Sequence, residues 1–229
     1  MKCIQVAVLA IAQASVVLAA VTSAGDPLWN RAVAIAARSQ LLPRAAIVTT
    51  TLATRGLPDR NIETRVTFRS DRDGQLESTI VFRREGKRIL DAEDRRRRND
   101  IDTRRRRAAP FRIDELPMSP LMQPFVTYRR VGSSDENIRF EFTIRRGDHA
   151  MVGAVTLAGD GQPLSIEFEP RPLPAGVRSM HTLVRLSPTP DGGCRLESMT
   201  VRGTAGPGWL NHSFRSHYGF TSEDEAKEQ

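Results

Sequence analysis

The 229-residue sequence contains little cysteine, lysine or aromatic side chain, and its composition excludes several classes of protein. Two cysteines are too few for the disulfide framework that stabilises small secreted scaffolds. A hydrophobic content of 39% is too high for a wholly disordered chain and too low for a polytopic membrane protein. Only three of the 34 basic residues are lysine, a skew toward arginine that we attribute to a GC-rich genome rather than to function.

Catalytic and metal-binding patterns are absent from the sequence as well. The sequence has four histidines, His149, His181, His212 and His217. No two of them stand at metal-ligand spacing, and no cysteine or carboxylate completes a ligand set with them. There is no nucleophile elbow, phosphate-binding loop or dinucleotide fingerprint. Glu167 and Glu169 occupy the polar positions of a strand pattern, which indicates solvated surface charge. We therefore expect a non-enzymatic protein without metal or cofactor.

The first 24 residues have the pattern of an export signal. Lys2 precedes an apolar run over 4–20, small residues follow as far as Ala24, and the first acidic residue is Asp26. A basic start, an apolar core and a small-residue cleavage site are typical of a secretory signal peptide. We predict cleavage after Ala24 and a periplasmic or secreted product. The alternative is a retained N-terminal membrane anchor.

Helix and strand periodicities predict one α+β domain over 25–221, followed by a disordered polar tail over 222–229. Asp26 and Pro27 favour the start of a helix that we expect to run to Leu42. Alternating apolar and polar residues follow in a series of segments joined by short Asp-Gly turns. Eight to ten strands with short connections predict a curved antiparallel sheet, with one apolar and one charged face, covered by the N-terminal helix and a mid-chain helix and loop.

The arrangement of these segments resembles the LolA, LolB and RseB superfamily of periplasmic half-barrel proteins. The resemblance covers roughly 26–220 and rests on three local features: the helix DPLWNRAVAIAARS, the Gly86-Lys87 pair leading into a helix, and the late run GDGQPLSIEFEP. It implies an open, strongly curved half-barrel whose concave face is capped by helices.

A basic segment over 83–112 contains 13 basic and six acidic residues, and it begins an insertion that we place over 83–128. One interpretation is a solvated helix, because several acids stand four residues before an arginine, the order that stabilises helices. The other is contact with an anionic membrane surface, which would involve Arg95, Arg96, Arg97, Arg98, Arg104, Arg105, Arg106 and Arg107. Nucleic acid is not expected, because no aromatic residues interleave the arginines for base stacking.

An apolar, methionine-bearing loop follows the basic segment, and we predict that it forms either simple cover for the sheet or a lid over a cavity. The lid residues would be Met118, Leu121, Met122 and Phe125. The groove beneath would be lined by the apolar positions of five strands: Val66, Phe68, Ile80, Phe82, Phe140, Phe142, Ile166 and Phe168.

These features predict a monomeric carrier that holds an acyl chain, a lipid or a lipidated protein in an apolar groove. A large aromatic surface on an incompletely covered sheet either binds a partner or aggregates. The alternative is a non-catalytic envelope interaction module that uses the arginine-rich helix or a sheet edge.

Overall fold

The computed structural model describes residues 25–39, 44–70, 76–107, 116–133, 136–207 and 212–221. The predicted signal peptide, its cleavage site and the predicted tail lie outside the described residues. In the described part of the chain, two α-helices and one 3₁₀ helix accompany eleven strands of a single sheet. Their bounds are α1 Pro27–Arg38, β1 Ala45–Thr54, β2 Arg60–Ser70, β3 Leu76–Glu85, β4 Arg88–Ile89, α2 Ala92–Arg107, the 3₁₀ helix Pro120–Phe125, β5 Val126–Ser133, β6 Asn137–Arg146, β7 His149–Ala158, β8 Pro163–Arg171, β9 Val177–Pro188, β10 Cys194–Ala205 and β11 His212–Thr221.

The sheet is antiparallel throughout, with strand order β4-β3-β2-β1-β11-β10-β9-β8-β7-β6-β5. Strands consecutive in the chain pair with each other, except that β4 and β5 lie at opposite edges of the sheet, and β1 pairs with β11 as well as with β2. The predicted fold class, an open antiparallel α+β half-barrel, is confirmed. Three of the strands, β1, β4 and β5, have no counterpart in the sequence-based prediction.

Helix α1 begins and ends through side-chain hydrogen bonds. Asp26 caps it by accepting a hydrogen bond from the Leu28 amide at 2.9 Å, as predicted. The helix stops at Arg38, four residues before the predicted end, because the next residue is held in an extended conformation. There the Ser39 hydroxyl donates to the Ile35 carbonyl and accepts from the Cys194 amide, both at 2.6 Å, which ties the helix end to β10.

The inner face of the sheet, defined as the face that packs against α1, is continuous across the strands. Cross-strand partners share a face, so one row can be followed through the pairings: Val48, Tyr218, Met199, Val184, Ile166, Val155 and Phe140. The largest core cluster lies where α1 covers this face. Trp29 of α1 stacks on Tyr128 with ring centroids 4.3 Å apart and contacts Phe140 at 5.5 Å.

Helix α2 lies along the edge of β3 beyond the two-residue strand β4. Asp91 caps it by accepting from the Asp94 amide at 2.8 Å, and Asn99 Oδ1 accepts from the Ile80 amide at 2.8 Å. The second bond satisfies a backbone donor that would otherwise be exposed on an edge strand. No helix in the described part of the chain is long and apolar enough to span a membrane.

Candidate ligand groove on the inner face

The half of the inner face beneath α1 is solid core. Phe140, Phe142 and Ile166 are 0%, 2% and 0% exposed, and they pack with Trp29 and the other buried side chains of this cluster. These three predicted groove residues are therefore core residues. Their strand positions were assigned correctly, but α1 lies directly over them.

Elsewhere the inner face varies: Ile62, Thr64 and Val66 of β2 are buried, whereas β11 and parts of β1, β2 and β8–β10 are only partly covered. Nine large apolar side chains there are half-buried, in contrast to the completely buried row beneath α1. We call these nine residues the open apolar surface: Leu52, Phe68, Phe168, Met180, Met199, Val201, Phe214, Tyr218 and Phe220.

Only two members of the open apolar surface, Phe68 and Phe168, belong to the groove predicted from the sequence. The alternation of Phe214, Tyr218 and Phe220 was visible in the sequence, but the pairing of β11 with β1 was not. Val66 and Ile80, also predicted for the groove, are buried in a small second cluster with Ala46 and Val48.

A β-bulge in β3 removes Phe82 from the predicted groove. Val66 pairs with Ile80, whereas the preceding residue, Arg65, pairs with Phe82, so Val81 is an extra residue in the strand. Phe82 therefore lies on the outer face, where the Arg65 guanidinium sits 4.7 Å from its ring centroid. The prediction that Ile80 and Phe82 share one face is wrong.

The predicted lid divides into a buried and an exposed part. Met118 and Met122 are 0% and 3% exposed and belong to the core cluster beneath α1. Gln123 fixes this segment, because its Oε1 accepts from Trp29 Nε1 at 3.1 Å and its amide nitrogen donates to the Pro117 carbonyl at 2.7 Å. Leu121 and Phe125 point outward, at 83% and 45% exposed.

Hydroxyl groups cross the middle of the inner face beside the open apolar surface. Thr50 of β1 and Ser216 of β11 share a hydrogen bond of 2.9 Å. Thr182 of β9 lies in the same cross-strand row, between Val201 and Phe168. It is 2% exposed, and its Oγ1 has no hydrogen-bond partner. A buried hydroxyl without a partner is costly, so Oγ1 of Thr182 is an unsatisfied polar atom within this face.

A cationic cluster borders the open apolar surface at β2 and β3. Three guanidinium groups contact the Glu85 carboxylate: Arg83 at 2.8 Å, Arg98 of α2 at 3.1 Å and Arg60 at 3.4 Å. Partial burial acts to raise the pKa of Glu85, but the Arg83 hydrogen bond and the three positive charges outweigh it and hold that pKa below its usual range. Three cations around one anion leave a net charge of about +2.

The arginines predicted to contact an anionic surface make varied contacts. Arg95 donates to the Leu90 carbonyl at 2.7 Å, and Arg97 pairs with Glu93 at 2.5 Å, the one described pair with the predicted four-residue spacing. Arg98 reaches Glu85, and Arg96 is exposed. The side chains of Arg104, Arg105, Arg106 and Arg107 lie outside the described residues, although their backbone continues α2.

The outer face carries an open depression of about 680 Å³ over β5–β9. Its charged side chains already pair with one another: Arg129 with Glu141 at 2.7 Å, Arg139 with Glu167 at 3.2 Å, and His181 with Glu167 at 3.5 Å. The depression is therefore close to neutral.

Neither a metal cluster nor a reactive thiol is found in the described ranges. No group of three or more histidine, cysteine or acidic side chains there is placed to hold a metal ion. Cys194 is buried, and its burial raises the pKa of the thiol, partly offset by a hydrogen bond with Ser39. A thiol with a raised pKa is a poor nucleophile.

Comparisons with known proteins find similarity among solved structures, at low sequence identity and low TM-score. No protein-family model and no curated protein sequence matches the chain. Among solved structures, a chain of the Pseudomonas aeruginosa MucA/MucB complex is 12% identical with a TM-score of 0.22, and the match covers 86% of this chain and 95% of that one. A structure of MucB in complex with MucA(peri) is 12% identical with a TM-score of 0.21, and the match covers 84% of this chain and 93% of that one. A LolA superfamily protein from Nitrosomonas europaea is 8% identical with a TM-score of 0.32, and the match covers 88% of this chain and 96% of that one.

Proposed function

We propose that this protein is an exported carrier that holds an acyl chain, of a lipid or a lipidated protein, against the open apolar surface. The observation that carries the proposal is the contrast within one sheet face. Apolar side chains of the same cross-strand rows are completely buried beneath α1 and half-buried over β11 and parts of β1, β9 and β10. An apolar surface left uncovered is unfavourable in water, and a bound acyl chain would cover it.

The extent of the surface suits a single chain. Five strand spacings separate β2 from β8, the outermost strands of the open apolar surface, a span of about 24 Å along the sheet. One leaflet of a bilayer's hydrocarbon core is about 15 Å thick, so an acyl chain and its head group fit within the span. Each methylene removed from water contributes about 0.8 kcal/mol, enough for useful affinity without further contacts.

The location of the carrier follows from the N-terminal pattern. Residues 1–24 would direct export, and α2 would bring the loaded or empty carrier to anionic membrane surfaces. Arg96 and Arg97 are exposed on α2. Contacts of this type are weakened by salt, since exposed charges are screened beyond about 10 Å at 0.1 M ionic strength.

Uptake of a fluorescent fatty acid tests the proposal. Phe214→Arg places a charge on the open apolar surface and should abolish uptake. Ser213→Arg is the matched control, because Ser213 is the adjacent, exposed residue on the outer face of the same strand. Circular dichroism shows whether both variants fold. If Phe214→Arg does not fold, Leu52→Gln makes a smaller change at the residue that pairs with Phe214. A wild-type protein that takes up no probe contradicts the carrier function.

A second candidate is an interaction module that binds through the β5 edge. Among the described residues β5 pairs only with β6. Val131 on β5 is exposed, and so is Phe125, the residue directly before the strand. A free edge strand is a template for addition of an extended peptide. Val131→Pro would disrupt the β5 edge and impair such binding, while leaving fatty-acid uptake unchanged.

A further inference from the structure

The cationic cluster of Arg60, Arg83, Arg98 and Glu85 stands at one end of the open apolar surface, and the proposed carrier function does not use it. Its position on the inner face follows from the register: Glu85 pairs with Ile62, and Arg60 pairs with Leu52, itself a member of the open apolar surface. Arg98 reaches the same carboxylate from α2. A charged group and an apolar surface are thus joined on one side of the sheet.

The three guanidinium groups differ in how much of them a ligand can reach. The Arg83 side chain is 16% exposed, and its Nε donates a hydrogen bond to Glu85 at 2.8 Å. Arg60 and Arg98 are 67% and 45% exposed, and their contacts to the carboxylate are longer, at 3.4 and 3.1 Å. Glu85 compensates one of the three charges. Two exposed guanidinium groups with a net positive charge between them match the oxygens of a phosphate group.

We propose that the ligand is an anionic amphiphile, with a phosphate bound between Arg60 and Arg98 and its acyl chain lying over Leu52, Phe214 and Val201. This inference rests on the proposed carrier function and specifies the substrate class. Glu85 holds the two arginines in place when no ligand is present. On binding, the phosphate oxygens accept hydrogen bonds from both guanidinium groups, and no covalent chemistry is involved.

The test compares three probes by isothermal titration calorimetry on the full mature protein: 1-palmitoyl lysophosphatidate, 1-palmitoylglycerol and glycerol 3-phosphate. The first two share the acyl chain and the first and third share the phosphate. A hydrogen bond to a charged group changes affinity by about tenfold, so lysophosphatidate should bind at least about tenfold more tightly than palmitoylglycerol. Glycerol 3-phosphate should bind far more weakly than either, because it lacks the chain.

Arg60→Gln/Arg98→Gln should erase the preference for lysophosphatidate and leave the affinity for palmitoylglycerol unchanged. Arg129→Gln/Arg139→Gln is the matched control, since both arginines pair with glutamates on the outer face. Arg60→Gln alone, at a mostly exposed position, replaces the double variant if that fails to fold. The control variant should keep the full preference for lysophosphatidate over palmitoylglycerol. In the wild-type protein, 0.5 M salt should reduce that preference.

The outcomes separate the two proposals. Equal binding of both acylated probes overturns the phosphate site and leaves the carrier function standing. Failure of both acylated probes to bind overturns the carrier function and, with it, this inference. Tight binding of glycerol 3-phosphate that depends on Arg60 and Arg98 also overturns it, because the cluster would then be a site for free phosphate.

Discussion

The contrast between the two halves of the inner face predicts very different costs for the same substitution. Phe140 is completely buried and contacts Trp29 and Tyr128, at centroid distances of 5.5 and 6.1 Å. Phe140→Ala therefore leaves a cavity in a packed core, and it should lower the free energy of unfolding by about 3–5 kcal/mol. Phe214 is half-buried on the open apolar surface, so water fills the space that its ring leaves. Phe214→Ala should cost about 1 kcal/mol, roughly half the transfer free energy of a buried phenylalanine.

Urea denaturation followed by circular dichroism measures both costs, from the shift in midpoint at constant m-value. For a domain of this size each kcal/mol corresponds to about 2–4 °C in Tm, so the two variants should differ by several degrees. Phe214→Ala should in addition weaken acyl-chain binding, whereas Phe140→Ala should affect binding only as far as it unfolds the protein. Equal costs for the two variants would refute the reasoning, because they would mean that the inner face is packed equally over its whole width.

Three further substitutions test individual features of the fold. Gly153→Ala should destabilise the protein by about 1–3 kcal/mol, because the new Cβ would lie 1.9 Å from the Glu167 carbonyl oxygen. Gly132→Ala, with open space around it, is the control and should be neutral or slightly stabilising. Equal melting temperatures for the two variants would contradict the strand register. Thr182→Val should raise the free energy of unfolding of the ligand-free protein by about 1 kcal/mol, since it removes a buried hydroxyl without a partner, and a loss of stability would mean that Oγ1 is hydrogen-bonded. Glu85→Gln should lower the free energy of unfolding by about 1–2 kcal/mol at pH 7. Because the folded-state pKa of Glu85 lies below its ordinary value of 4.5, this difference in stability should be complete above pH 4.5 and disappear as the pH falls through the folded-state pKa. Urea titrations that give the same difference at pH 3 and pH 7 would argue against the Glu85 pairing.

Local features of the chain were predictable from the sequence because their causes are local. The start of α1 follows from Asp26 and Pro27, a cap and a first-turn residue that act within one turn. The cap of α2 at Asp91 follows in the same way. The end of α1 did not follow, because it depends on the contact of Ser39 with Cys194, which stands 155 positions away in the sequence.

The assignment of side chains to faces was predictable only as far as strict alternation holds. Alternation placed Val66, Phe140 and Ile166 correctly on the inner face. One extra residue in a strand reverses the face of everything beyond it, and Val81 does so between Ile80 and Phe82. Nothing in the Ile80-Val81-Phe82 sequence distinguishes a bulge from a regular strand, since all three residues favour β structure.

The location of the candidate groove depends on two long-range choices that no strand pattern contains. The first is the pairing of β1 with β11, which brings Leu52 beside Phe214 and so creates a wide apolar surface from the two ends of the domain. The second is the seating of α1 on the strands from β5 to β10, which turns half of that face into core. Because α1 spans only 12 residues, about 18 Å, it cannot cover eleven strands that are each about 4.8 Å apart. The uncovered width on the β1 side of the sheet follows from this difference in length, and it is there, next to the cationic cluster of Arg60, Arg83, Arg98 and Glu85, that a ligand would complete the core.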